Sequence, residues 1–85
     1  MTKEAVKKKL AECKTVLEKY RGYGQAAEGG LKELDRVGAL VDEGKNAEAY
    51  AKVEGLCGMI APYRSYVPDV ALLADELRDE VKKLV

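Results

Sequence analysis

Apolar residues recur along the chain at spacings of three and four, the period that places side chains on one face of an α-helix. The first series predicts a helix over residues 2–21, ended by the glycine-rich stretch at 22–24. A second series predicts a helix that begins at about residue 26 or 30 and ends at residue 43. The two apolar stripes consist of Val6, Leu10, Cys13, Leu17 and Tyr20, and of Leu31, Leu34, Val37 and Val41.

The second half of the chain has the same pattern and clearer boundaries. Gly44 suits the left-handed residue that follows a helix, and Asn46 is predicted to cap a third helix. Pro62 ends that helix, and Pro68 opens a fourth, where a proline loses no helical hydrogen bond. The stripes consist of Tyr50, Val53, Leu56, Cys57 and Ile60, and of Val70, Leu73, Leu77, Val81 and Leu84.

The predicted fold is an all-α single domain over residues 1–85, a small antiparallel bundle of about four helices. No run of alternating β-branched and aromatic residues between turn residues indicates a strand. The short connections favour two αα-hairpins. The alternative is a three-helix bundle in which residues 24–30 form a loop or a helix extension.

An internal repeat relates the two halves of the chain. Tyr-Arg-Gly-Tyr at residues 20–23 is echoed by Tyr-Arg-Ser-Tyr at residues 63–66, an offset of 43. The same offset keeps the apolar stripes in register, and it also pairs Lys9 with Lys52 and Glu33 with Glu76. Duplication of residues 1–43 in 44–85 explains this register, and chance alignment of two helical patterns is the alternative.

The two Tyr-Arg motifs are the candidate binding site. The first and third turns of an up-down-up-down bundle lie at the same end, so both motifs should meet there. Tyr and Arg are over-represented at binding hot spots. Tyr20 and Tyr63 belong to the apolar stripes, and we interpret them as structural. The predicted partner-binding residues are Arg21, Tyr23, Arg64 and Tyr66. They indicate a non-enzymatic protein-interaction module: an adaptor, an accessory subunit or a small inhibitor.

Charge changes this picture little, because 15 basic and 15 acidic residues leave a net charge of zero. Residues 1–21 hold seven basic and three acidic side chains, so nucleic-acid binding through the first helix is an alternative function. We favour charge complementarity between that helix and its acidic neighbours. Self-association as a homo-oligomer is a third alternative. The basic residues that would contact phosphates are Lys7, Lys8, Lys9 and Lys14.

The sequence offers few residues suited to catalysis or to metal binding. The chain has no His and one Ser, Ser65, so a Ser-His or Cys-His nucleophile is excluded. We expect no enzyme, no cofactor and no metal, and we interpret the acidic run at residues 75–80 as a solvated face. Cys13 and Cys57 lie on apolar stripes and are predicted to be buried, reduced thiols, with a disulfide as the alternative.

The chain carries no membrane signal. No apolar stretch approaches the roughly 18 residues of a transmembrane helix. The basic N-terminus is not followed by an apolar core, so it does not have the pattern of a secretory signal. We therefore expect a cytoplasmic protein without a membrane partner.

Overall fold

The computed structural model describes residues 2–23 and 25–85, with side chains described for 3–22 and 25–85. These residues form four α-helices: α1 (Thr2–Glu18), α2 (Gln25–Asp42), α3 (Asn46–Ile60) and α4 (Pro68–Lys82). Short 3-10 turns follow α1 and α3, at Arg21–Tyr23 and Ala61–Tyr63. The described ranges contain no strand, and the predicted all-α fold with four helices is confirmed.

The four helices form a closed ring in which each packs on its two neighbours. The large contacts join α1 to α2, α2 to α3, α3 to α4 and α4 back to α1. The bundle measures 33 × 19 × 19 Å between Cα atoms, about the length of one helix. Sequence neighbours therefore run antiparallel. The α1–α2 and α3–α4 turns lie at one end, which we call the turn end.

Most residues of the predicted stripes meet in a single core, but Leu31 is half-buried, lies outside the core cluster and lines a hollow between α1 and α2. The most deeply buried large side chains of each half include Leu34 on α2 and Leu77 on α4, which have 2% and no solvent exposure. The described part of the chain has no buried polar or charged side chain, so apolar burial holds the helices together. The core cluster consists of Val6, Leu10, Cys13, Leu34, Val37, Val41, Ala49, Val53, Leu56, Leu77 and Val81.

Helix ends differ from the prediction at two places. α1 ends at Glu18 rather than at residue 21, because its last turn tightens: the Tyr20 amide bonds the Leu17 carbonyl three residues back, at 3.0 Å. The prediction that Asn46 caps α3 is wrong. Lys45 occupies the cap position without a side-chain hydrogen bond, and the Asn46 side-chain amide instead donates to the Leu84 carbonyl, at 3.4 Å.

The two seams between the hairpins are built alike. Across the α1–α4 seam, Lys9 Nζ lies 3.0 Å from Glu76 Oε1. Across the α3–α2 seam, Lys52 Nζ lies 3.0 Å from Glu33 Oε2. Each residue of the second pair stands 43 positions from its counterpart in the first. The 43-residue offset found in the sequence thus relates equivalent contacts in space, while duplication as its origin stays a prediction.

Substitution by Ala should have opposite effects on the free energy of unfolding at two glycines. Gly44 has φ +77°, which an L side chain adopts at a cost, so Gly44→Ala should lower the free energy of unfolding by about 1–2 kcal/mol. Gly55 lies inside α3 with open space where a Cβ would lie, so Gly55→Ala should raise it by up to about 1 kcal/mol. Urea unfolding measures both. Shifts of the same sign would contradict this account.

Candidate functional site

An apolar groove of about 580 Å³ opens at the turn end. We call it the turn-end groove. Side chains of all four helices and of the α3–α4 turn line it, and none of these lining residues is charged. A volume of this size, with apolar walls and a few polar atoms, is typical of sites that bury a ligand or an inserted side chain. Its largest apolar and aromatic lining side chains are Leu17, Tyr20, Leu56, Met59, Ile60, Tyr63 and Tyr66.

The groove exists because the beginning of α2 is small. Three α2 positions that line it carry smaller side chains than the α4 positions 43 residues later. A Cβ on Gly30 would come within 2.7 Å of Leu17 Cδ2, so Leu17 already lies against the bare backbone there. Leu17 thus fills the space beside Gly30, and the small side chains of Ala26 and Ala27 leave the end of the core open. The three pairs are Ala26 with Asp69, Ala27 with Val70 and Gly30 with Leu73.

A hydrogen bond closes one side of the turn end. The Tyr20 hydroxyl, at the end of α1, lies 3.1 and 3.2 Å from the two carboxylate oxygens of Asp69, in the first turn of α4. Tyr63 is the counterpart of Tyr20 at the end of α3, and Ala26 is the counterpart of Asp69 on α2. Among the described residues, the Tyr63 hydroxyl has no hydrogen-bond partner. At the turn end, a tyrosine–carboxylate hydrogen bond therefore joins α1 to α4, and no equivalent bond joins α3 to α2 among the described residues.

The structure brings the two predicted turns together at the groove. Tyr66 lines it and is 79% exposed, as expected of a residue available to a partner. Tyr63, interpreted from the sequence as structural, is 57% exposed and lines the groove, as does Ala26, the small residue at the position that corresponds to Asp69. The side chain of Tyr23 lies outside the described residues.

Neither predicted arginine lines the groove, and each is paired within the chain. Arg21 and its partner Glu28 line the separate hollow between α1 and α2. Arg21 donates from Nε to Glu28 Oε1 at 3.0 Å, and this hydrogen bond lowers the pKa of the Glu28 carboxyl. Arg64 Nη2 lies 2.9 Å from Asp75 Oδ2. All four side chains are at least partly exposed. Each arginine therefore follows a groove-lining tyrosine in the sequence, and neither leaves an unmatched cation.

Met59, 56% exposed, is a groove residue that the sequence interpretation missed. It lies in the last turn of α3, outside the apolar stripe that defined the core positions. A signal for it lies in the 43-residue comparison of Ala26, Ala27 and Gly30 with their bulkier counterparts. That comparison indicates a gap at the beginning of α2, and Met59 borders this gap.

Comparison with family models, curated proteins and solved structures finds no match to this chain. Within residues 2–23 and 25–85, no helix combines the length and apolar character needed to cross a bilayer. In the same ranges, no cluster of Cys, Asp and Glu side chains is arranged to hold a metal ion. The turn-end groove is therefore the feature from which a function has to be argued.

The basic residues of α1 mostly pair with acidic residues of the neighbouring helices. Lys7 Nζ lies 2.7 Å from Asp42 Oδ2, a hydrogen bond that lowers the pKa of the Asp42 carboxyl. Lys14 pairs with Asp35 on α2. Lys9 pairs with α4, as described above. These contacts are the charge complementarity favoured from the sequence. The nucleic-acid alternative itself stays untested.

The acidic run of α4 is divided among several partners. Asp75 pairs with Arg64, Glu76 with Lys9, and Glu80 with Lys83 at 3.2 Å. These carboxylates therefore neutralise different basic side chains of the bundle. This arrangement agrees with the interpretation of residues 75–80 as a solvated face.

Both cysteines are free thiols in different surroundings. Cys13 lies in the core, and burial raises the pKa of its thiol to about 12. Cys57 is only half-buried, in part against the prediction, and its Sγ lies 3.4 Å from the Ala74 carbonyl oxygen. Burial raises the pKa of Cys57 as well. The buried thiol is thus the less reactive of the two.

The two tyrosines at the helix ends allow a matched test of the hydrogen bond at the turn end. Tyr20→Phe removes the bond to Asp69 and should lower the free energy of unfolding by about 0.5–1 kcal/mol, because the bond is exposed. Tyr63→Phe removes a hydroxyl without a partner among the described residues and should change it by less than about 0.3 kcal/mol. Urea unfolding of the two variants checks this difference. Equal losses would contradict the asymmetry of the turn end.

Thiol alkylation should separate the two cysteines. Only the thiolate reacts, and a thiol with a pKa of about 12 is ionised to roughly one part in a thousand at pH 9. We expect iodoacetamide to modify the Cys13→Ala variant, through Cys57, much faster than the Cys57→Ala variant. Mass spectrometry of timed samples from pH 7 to 9 measures both rates. In urea, where both thiols are exposed, the rates should converge, and faster native labelling of Cys13 would refute this ranking.

Proposed function

We propose that this chain is a non-enzymatic protein-interaction module that takes an apolar helical segment of a partner protein into the turn-end groove. One observation supports this most directly. Met59, Tyr63 and Tyr66 each have more than half of their surface exposed, and all three line the same groove. Scattered exposed apolar residues are ordinary on a protein surface, but a contiguous set around a concavity is typical of an interaction site.

The energy for docking comes from removing these side chains from water. An aromatic side chain carries about 150–250 Å² of surface, and burial contributes about 25 cal/mol per Å² of apolar area. Covering the exposed parts of Tyr63, Tyr66 and Met59 is therefore worth several kcal/mol before the costs of association. Ion pairs of exposed residues are worth about 0–1 kcal/mol each. Apolar burial in the groove therefore contributes more to docking than the arginine pairs do.

The size of the turn end favours insertion over flat contact. With a Cα cross-section of 19 × 19 Å, this end presents roughly 500 Å² once side chains are included, against about 800 Å² per partner in a stable protein–protein interface. A second globular surface laid flat on it, including the same end of another copy, would bury too little. An amphipathic helix with apolar residues at i, i+3 and i+7 can insert these side chains into the groove. It then buries the walls of the groove in addition to the outer surface of the turn end.

The arginines then flank the site in the sequence. Arg21 and Arg64 are partner-binding residues in the sequence interpretation, and each follows a groove-lining tyrosine and is paired with its own carboxylate. A docking segment that reaches them meets neutral pairs, so its binding should depend weakly on salt. Adaptor, accessory subunit and inhibitor share this docking step, and they differ only in what the partner does when bound.

Paired double variants test the proposal. Met59→Ala with Tyr66→Ala removes exposed apolar surface and should weaken binding at least tenfold, with little loss of stability because both side chains are exposed. Arg21→Ala with Arg64→Ala should weaken it less than about threefold. The measurement is fluorescence titration with a labelled amphipathic helical peptide of 14 residues bearing leucines at i, i+3 and i+7. The helix content and melting temperature of each variant serve as controls.

Two results would count against the proposal. Binding that survives the groove double variant would place the site elsewhere. Binding lost only in the arginine double variant would make the arginine pairs, not the groove, the centre of the site. A titration at about 50 and 500 mM salt separates these cases further, because screening weakens contacts of exposed charges and leaves apolar burial intact.

A further inference from the structure

We infer that the partner segment carries an Asp or Glu beside its apolar anchor, and that the Tyr63 hydroxyl donates a hydrogen bond to this carboxylate. The inference rests on the proposed function, which supplies the partner segment. Its basis is the asymmetry of the turn end. Tyr20 binds the carboxylate of Asp69. For Tyr63, the residue that corresponds to Asp69 is Ala26, which lines the same groove, and the Tyr63 hydroxyl has no acceptor among the described residues.

The comparison of Tyr63 with Tyr20 is a comparison of equivalent positions. The seam ion pairs Lys9–Glu76 and Lys52–Glu33 have the same length, 3.0 Å, and the same 43-residue relation. The tyrosines follow these lysines by 11 residues in each half. The α3–α2 seam therefore repeats the ion pair of the α1–α4 seam but lacks, at its last turn, the carboxylate that Tyr20 binds.

The surroundings of the Tyr63 hydroxyl suit a negative charge. Gln25 and Ala26, in the first turn of the 18-residue helix α2, line the same groove as Tyr63, and the helix dipole favours an anion at this end. The residues that line the groove include no carboxylate that would repel an incoming one. The acidic side chain next to a groove residue is Asp69, whose carboxylate oxygens lie 3.1 and 3.2 Å from the Tyr20 hydroxyl. Tyr20 already donates to Asp69, so of these two equivalent tyrosines Tyr63 is the one that can donate to a carboxylate entering from a partner.

The structure also indicates the local sequence of such a segment. In the first turn of α4, Asp69 bonds Tyr20, and the next residue, Val70, turns into the core with 7% exposure. Acceptor and apolar anchor are thus adjacent in sequence at the start of a helix. A partner segment with an acidic residue directly before a large apolar residue would supply both elements that α2 lacks.

Supplying the carboxylate within the chain is the first test. Ala26→Asp places an acceptor at the position equivalent to Asp69 and should raise the melting temperature by about 3–5 °C. An acidic residue in a first helical turn is stabilising by itself, so the same substitution is made in a Tyr63→Phe background. We expect the increase to be clearly smaller there. Equal increases in both backgrounds would overturn the proposed role of Tyr63.

Two peptides provide the test with a partner. Both are amphipathic 14-residue helices with leucine anchors, and they differ only in Asp or Asn directly before the first leucine. The unmodified protein should bind the Asp peptide about three- to tenfold more tightly. In Tyr63→Phe this preference should disappear, and the Asn peptide should lose less affinity than the Asp peptide, because its neutral amide oxygen accepts a weaker hydrogen bond than a carboxylate. Ala26→Asp should weaken binding of the Asp peptide, because the site is then occupied from within.

The outcomes distinguish the inference from the proposed function. If both peptides bind equally to the unmodified protein, and Met59→Ala with Tyr66→Ala weakens both, the carboxylate inference fails and the proposed function stands. If neither peptide binds, both fail. A preference for Asp that persists in Tyr63→Phe would overturn the role of the hydroxyl and assign the preference to the helix dipole alone.

Discussion

The short connections between helices of 15 to 18 residues are the constraint on which the other features of this molecule depend. A three-residue link between α2 and α3 allows only an antiparallel return, and Gly44 makes the tight turn by adopting φ +77°. Four such rods can bury one apolar stripe each only by closing into a ring. That closure brings both Tyr-Arg turns to the same end, although they lie far apart in the sequence.

The α1–α4 and α3–α2 seams of this ring are equivalent, but they differ at the turn end. The ion pairs Lys9–Glu76 and Lys52–Glu33 hold corresponding places, so the difference arises over a few residues at the start of α2. Filling that corner with bulkier side chains would remove the groove and add packing contacts, since an unfilled apolar space costs stability. A chain of 85 residues has a small margin for such a cost. Departures from full packing of this kind are expected where a protein binds something.

Periodicity in the sequence predicted the helices and the core, because the 3.6-residue repeat directly reflects which side of a helix is buried. It did not predict features that depend on distant residues. Asn46 does not cap α3, since its side-chain amide bonds the Leu84 carbonyl, 38 residues away. The apolar stripe likewise indicates the side of the bundle on which Tyr63 lies. It does not indicate whether the side chains of the neighbouring helix are large enough to cover Tyr63. The end of the bundle where the candidate site lies was predictable, and the groove itself was not.

The balance of forces at the turn end also sets the kind of interaction that this site can support. Arg21 and Arg64 are long, exposed and already paired, so they contribute orientation more than affinity. The apolar side chains contribute most of the energy, but the area is small and association costs several kcal/mol before any net binding appears. A site of this size therefore favours moderate, reversible affinity. A segment that is already helical before it docks would bind more tightly, because it avoids the entropy cost of folding on the surface.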